Sequence, residues 1–250
     1  MLNHERALKV YGERFSYRGR GLDALEKRVG AVDRKIERIL SRKKRASILE
    51  IGCGFGSVLL EIAQKHGDRV ALYGVNRRPV DGTPDMLVLN ARKAGIPVEC
   101  AEGITIRFAD AAVRLPFKDR KFDLVVSQAS WLFITDKLNA LREVSRVLRP
   151  GGVGRIQFMS NPRQNEAFGK DLIEIRDRGV AVDPVEFLGR SSGMTVEKHG
   201  RHRVAILKGT LAFPEPLRLA EVVRLRDHGD GFVGVQSIYE IDHDPAAGHS

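Results

Sequence analysis

Ser47-Ile48-Leu49-Glu50-Ile51-Gly52-Cys53-Gly54-Phe55-Gly56 is the stretch from which the rest of the chain can be read. Ile48 to Ile51 is a short apolar run ended by a turn signal, which predicts a buried parallel strand. Three glycines at alternate positions follow. Ser57-Val58-Leu59-Leu60-Glu61-Ile62-Ala63 then starts a helical pattern, with Ser57 as its expected cap. A strand, a glycine turn and a helix start in that order suit a nucleotide-like ligand. Glycine lets the backbone approach closely, and the helix start offers free N–H donors.

The spacing narrows the choice of nucleotide. A dinucleotide turn reads G-x-G-x-x-G, and here Ser57 stands where its third glycine belongs. Glu50 lies two residues before Gly52, at the carboxyl end of the strand. A carboxylate there would repel a pyrophosphate and accept from an ammonium group.

Outward from this turn, strands and helices alternate. Strands are expected at 69–76, 104–110, 121–127 and 153–159, and helices at 57–66, 85–94 and 137–148. The last helix is stopped by Pro150-Gly151-Gly152. The alternation predicts an α/β fold with a doubly wound, mostly parallel sheet, whose ligands lie at the carboxyl ends of its strands. Before the turn, apolar residues at 22, 25, 29, 32, 36, 39 and 40 predict one amphipathic helix over 22–40. After it, helices are expected at 163–178, 183–190 and 214–226, a hairpin at 194–207 and a last strand at 234–241.

With 250 residues, the chain is long enough for one large domain with decorations. No run approaches the ~20 apolar residues of a membrane span, and the N-terminus lacks the apolar core of a secretory signal. The two cysteines, Cys53 and Cys100, fit a reducing, cytoplasmic compartment, and no Cys/His spacing suggests a metal site. The net charge of +10 is concentrated at the N-terminus. Residues 1–46 hold 14 basic and 6 acidic side chains, against 28 and 26 in the remainder. A solvated helix face explains this most simply, with a surface for RNA or an anionic membrane as the alternative.

Glu-x-Gly-x-Gly-x-Gly at 50–56 resembles motif I of the class I S-adenosylmethionine (SAM)-dependent methyltransferases. Phe108-Ala109-Asp110-Ala111, Leu115-Pro116-Phe117 and Phe122-Asp123-Leu124-Val125-Val126 follow in that family's order. So does Leu141-Arg142-Glu143-Val144-Ser145-Arg146-Val147-Leu148-Arg149-Pro150-Gly151-Gly152. The likeness is greatest to the ubiquinone- and menaquinone-biosynthesis group, and it covers roughly 47–160. It implies a Rossmann-like, seven-stranded sheet with N-terminal helices and a C-terminal extension. The segments would be a basic helical segment over 1–46, a SAM-binding domain over 47–208 and an extension over 209–250.

The resemblance also implies roles. Glu50 and Gly52-Cys53-Gly54 would hold the methionine end of SAM, and Asn76 with Arg77 the ribose. Asp110 with Ala111 would take the adenine amine, and Ser127 with Gln128 would line the cofactor beyond the fourth strand. The family usually places Asp or Glu where this chain has Asn76. Asn76-Arg77-Arg78 would also suit an NADP 2′-phosphate, the rival that Glu50 and the later motifs oppose.

The implied reaction is in-line methyl transfer to a small molecule, leaving S-adenosylhomocysteine. It requires positioning and dryness rather than a catalytic triad, and none is visible. Tyr11, Tyr17, Trp131, Phe133, Met159 and Asn161 are candidates for the acceptor side, where a homodimer partner would be compatible. The Asn-Pro-Pro-Tyr type motif of exocyclic-amine nucleic-acid methylases is absent. RNA methylation through the basic N-terminal helix is therefore the second choice, beside a binding protein of the same fold without turnover.

Overall fold

The structure, a computed structural model, describes residues 21–79, 82–131, 134 and 137–158, and the backbone of later strands between 172 and 239. Two helices come first, α1 (Leu22–Val29) and α2 (Val32–Leu40). The core alternates from there: β1 (Ala46–Ile51), α3 (Ser57–His66), β2 (Val70–Asn76), α4 (Pro84–Ala94), α5 (Val98–Glu102), β3 (Ile104–Phe108), β4 (Phe122–Ser127), α6 (Lys137–Val147) and β5 (Leu148–Phe158). Strand order is β3-β2-β1-β4-β5, and all four pairings are parallel. This is the doubly wound α/β sheet that the alternation predicts. Beyond β5, the strands β8 (Thr195–His199) and β9 (His202–Lys208) form the expected hairpin, with β9 antiparallel to β5.

β1 is central because every residue on it is apolar except Ser47 and Glu50. Leu49 and Ile51 enter one buried cluster with Val75, Val125, Trp131, Leu141 and Val144. Ile48 enters the other, beneath α1, α2, α3 and α4, with Leu25, Ile36, Leu59 and Leu87. Helices therefore cover both faces, as a parallel sheet needs. Glu50 lies in register between Gly74 of β2 and Val126 of β4.

Three expectations are corrected. The helix over 22–40 is two helices, because Gly30 ends α1 at φ 82° and turns the chain into α2. The helix expected over 163–178 gives way, within the described residues, to strand β6 (Leu172–Asp177), followed by β7 (Val180–Val182). The one expected over 214–226 gives way to β10 (Glu221–Asp227). Leu172-Ile173-Glu174-Ile175 satisfies a helical spacing locally, but its β-branched residues pair antiparallel with Val222 to Leu225. The last strand, β11 (Phe232–Tyr239), completes the order β11-β10-β6-β7. The segments expected on either side of residue 208 therefore share a sheet. The helix expected at 183–190 lies outside the described residues.

The amino end of the sheet is closed by one buried carboxylate. Asp123 accepts from Lys43 Nζ at 2.8 Å with both oxygens and from the Ser47 amide at 2.8 Å, and Arg149 Nε lies 3.2 Å away. It joins the chain entering β1 to β4 and the start of β5. Asp123→Ala leaves those donors uncompensated and is expected to lower the unfolding free energy by about 3 kcal/mol. Urea unfolding with an unchanged slope would measure it.

Candidate functional site

The carboxyl ends of β1, β2, β3 and β4 meet around the glycine turn. Gly52 leaves β1 at φ 70°, and a Cβ there would lie 2.3 Å from the Ser130 Cβ. The Ser127 and Ser130 hydroxyls are 2.6 Å apart and lie 2.8 and 3.2 Å from the Ile51 carbonyl, so one donates to the other and the second to that carbonyl. Ser127 is fully buried and fixes the entry to the turn. Gly56, rather than Ser57, stands at the N-cap of α3, and the Ser57 hydroxyl accepts from Asn90 Nδ2 at 3.0 Å.

Glu50 is the group this architecture isolates. It is 2 % exposed, and its Oε2 has no hydrogen-bond partner among the described residues. Burial pushes its carboxyl well above the ordinary range, opposed only by a hydrogen bond that Gln128 donates. Gln128 is itself buried, and its Oε1 accepts from Arg28 Nη1 of α1 at 2.7 Å. A buried carboxyl group with a bare oxygen is where an ammonium would bind. The Cys53 thiol is likewise buried, its pKa pushed up first by desolvation and then by Glu50, so it is no nucleophile.

Asn76 is buried and fully engaged. Its Oδ1 accepts from the Gly54 amide at 2.8 Å and lies 3.5 Å from Cys53 Sγ. Its Nδ2 donates to the Gly54 and Gly82 carbonyls, each at 3.0 Å. It clamps the glycine turn to the segment leading into α4, so in this conformation its amide has no bond left for a ribose hydroxyl. Beside it, Arg77 Nε lies 3.2 Å from Asp110 Oδ2. Asp110 Oδ1 accepts from the Ala112 amide at 2.9 Å, and Ala111 is buried.

The cofactor-side residues expected from sequence therefore converge on one site. Of the acceptor-side residues, only Trp131 is among the described residues. Trp131 is fully buried and belongs to the core cluster that also holds Leu49, Val125 and Leu141. Tyr11, Tyr17, Phe133, Met159 and Asn161 lie outside the described residues. Sequence reasoning missed Arg28, hidden among the basic residues of α1. It also missed Arg155, which donates to the Val29 carbonyl at the end of α1. A charge inside the apolar run 153–158 was a signal for the latter.

Residues 49–156 match the family model described as a methyltransferase domain. This segment is a methyltransferase domain. The chain is 34% identical over 124 residues to a sarcosine/dimethylglycine N-methyltransferase of Halorhodospira halochloris, which covers 48% of this chain and 41% of that protein. It is 29% identical over 178 residues to a demethylmenaquinone methyltransferase of Deinococcus radiodurans, 71% of this chain and 65% of that one. The chain thus spans less than two thirds of either relative. Among solved structures, a Methanococcus maripaludis protein assigned as an S-adenosyl-L-methionine-dependent methyltransferase superposes with a TM-score of 0.52 at 17% identity. That match covers 85% of this chain and 95% of that chain, and it supports the fold.

The resemblance read from the motifs thus holds, and the cofactor of this family is SAM. The residues of the methyltransferase domain fit it on two observations. The orphaned Glu50 oxygen suits an α-ammonium, and the partly exposed Asp110 carboxylate stands at the end of β3 where it can accept from an amine. No helix among the described residues is long and apolar enough to cross a membrane.

Two outcomes follow from these contacts. Asn76→Asp sets a carboxylate oxygen against the Gly54 and Gly82 carbonyls. It is expected to cost about 1–3 kcal/mol in urea unfolding; unchanged stability would contradict the clamp. Glu50 is a group whose folded-state pKa is raised, so it opposes folding increasingly as pH rises above its unfolded pKa. Glu50→Gln removes that cost. Without cofactor, the variant should melt higher than the wild type at pH 7. The gain should vanish near pH 4, as differential scanning calorimetry would show.

Proposed function

We propose that the protein transfers a methyl group from SAM to a small-molecule acceptor, at oxygen, nitrogen or carbon. The observation that carries this reading is the buried, half-unsatisfied Glu50 carboxylate beside the glycine turn of a methyltransferase domain. The relatives named above act on an amine and on a quinone precursor, which supports a small acceptor over a polymer.

SAM, when bound, would supply an electrophilic sulfonium methyl to the acceptor and leave as the neutral thioether S-adenosylhomocysteine. The chain's own residues position and dry this centre. Glu50 takes the ammonium of the methionine end, and the Ser127–Ser130 pair keeps the Ile51 carbonyl and the turn in place. Asp110 takes the adenine amine, with Ala111 beside it. Asn76 acts on the nucleoside through the turn it clamps, and Arg77 positions Asp110. Such catalysis works through orientation and exclusion of water, and an acceptor that is already nucleophilic needs no protein base. Residues 1–46 and the chain beyond 208 would frame the acceptor, with Tyr11, Tyr17, Phe133, Met159 and Asn161 as its candidate contacts.

Calorimetric titration tests the reading. SAM and S-adenosylhomocysteine should bind in the micromolar range and NADPH should not. Glu50→Ala and Asp110→Ala should each weaken both adenosyl ligands by about tenfold or more, the loss of one charge-assisted contact. Binding of NADPH without SAM would overturn it. With binding established, methyl-labelled SAM and a panel of amines, phenols and quinols would identify the acceptor.

A further inference from the structure

The contact between α1 and the glycine turn rests on a particular arrangement of charge. α1 is anchored at both ends by the methyltransferase domain. The Glu61 carboxylate accepts from the Leu22 amide, and Arg155 donates to the Val29 carbonyl. Arg28, one residue before the end of α1, is thereby held with its Nη1 2.7 Å from Gln128 Oε1. Since that oxygen faces Arg28, the hydrogen bond that Glu50 receives comes from the amide nitrogen of Gln128. The order in space is guanidinium, amide oxygen, amide nitrogen, carboxylate. An α-amino acid zwitterion placed between the same two residues would have the same polarity, with its carboxylate toward Arg28 and its ammonium toward Glu50.

We propose that Arg28 binds the α-carboxylate of the cofactor's methionine end, and that Gln128 holds its place between Arg28 and Glu50 until the zwitterion arrives. This deepens the proposed function and rests on it. A guanidinium fork matches a carboxylate in shape as well as charge. The neighbouring cations have other duties. Arg77 faces Asp110, and Arg155 faces the Val29 carbonyl. Lys43 and Arg149 lie with Asp123 at the opposite end of the strands. Arg28 also lies outside 49–156, so the methyltransferase domain would depend on the N-terminal helices for recognition of its cofactor. Glu50 then reads the positive end of the amino acid and Arg28 the negative end.

The test compares SAM with decarboxylated SAM, which keeps the sulfonium, the ammonium and the nucleoside, by calorimetric titration of the full chain. The wild type should prefer SAM by about 10- to 100-fold, the worth of a hydrogen-bonded charge pair. Arg28→Met should reduce that ratio to near one by weakening SAM alone, and Arg28→Lys should restore part of it. Because the readout is a ratio within one protein, a small change in stability does not imitate it; far-ultraviolet circular dichroism checks folding. A wild type that binds both ligands equally, or an Arg28→Met variant that keeps the preference, overturns the assignment of Arg28 and leaves the proposed function standing. A wild type that binds neither overturns both.

Discussion

A carboxylate buried with one oxygen unmatched is the constraint to which the rest of the structure answers. Removing a charge from water is expensive unless a partner is provided, and among the described residues Glu50 has the Gln128 amide for one oxygen and no partner for the other. A chain that needed only a stable sheet would place an apolar residue there, as it does at Leu49 and Ile51 on the same strand. Around Glu50 the structure is stiff. β1 is paired on both sides, the serines of the β4 end hold the Ile51 carbonyl, and Asn76 locks Gly54 to Gly82. The cost of the isolated oxygen is localised at one point that an ammonium can neutralise.

The same stiffness ties together segments far apart in sequence. Glu61 and Arg155 fasten both ends of α1, Arg28 reaches Gln128, and Asp123 joins Lys43 to the start of β1 and to Arg149. The basic N-terminal helices are therefore part of the site's wall, whatever else their outer face does. Part of the positive charge that the sequence concentrates in residues 1–46 is used inward.

Much of the core was legible because its signals are local. Apolar runs of strand length, a glycine turn with one acid before it and helices ended by Gly or Pro-Gly-Gly specify each unit through steric rules that act over a few residues. Glu50 could be named from its place before the glycine turn, whereas Asp110 and Gln128 were implied by the resemblance to a known family. Partnership was not legible. Asn76 reads as a weakened ribose acceptor until its three backbone bonds are seen, and Trp131 reads as an acceptor contact until it is found in the buried core. Leu172 to Asp177 carries both a helical and a strand pattern, and only its pairing with β10, more than 40 positions on, decides between them. Gly30 fits a helical spacing yet ends α1, because its backbone is left-handed.

The most direct test of the central claim is the proton balance of cofactor binding. Burial raises the pKa of Glu50, and an ammonium brought beside it lowers that pKa again. Titration of the wild type with SAM at pH 6, in buffers of different ionisation enthalpy, should therefore show release of up to one proton per SAM bound. Glu50→Gln should show none. Binding heats that are independent of buffer in the wild type would mean that Glu50 is already charged at rest, and would contradict the account.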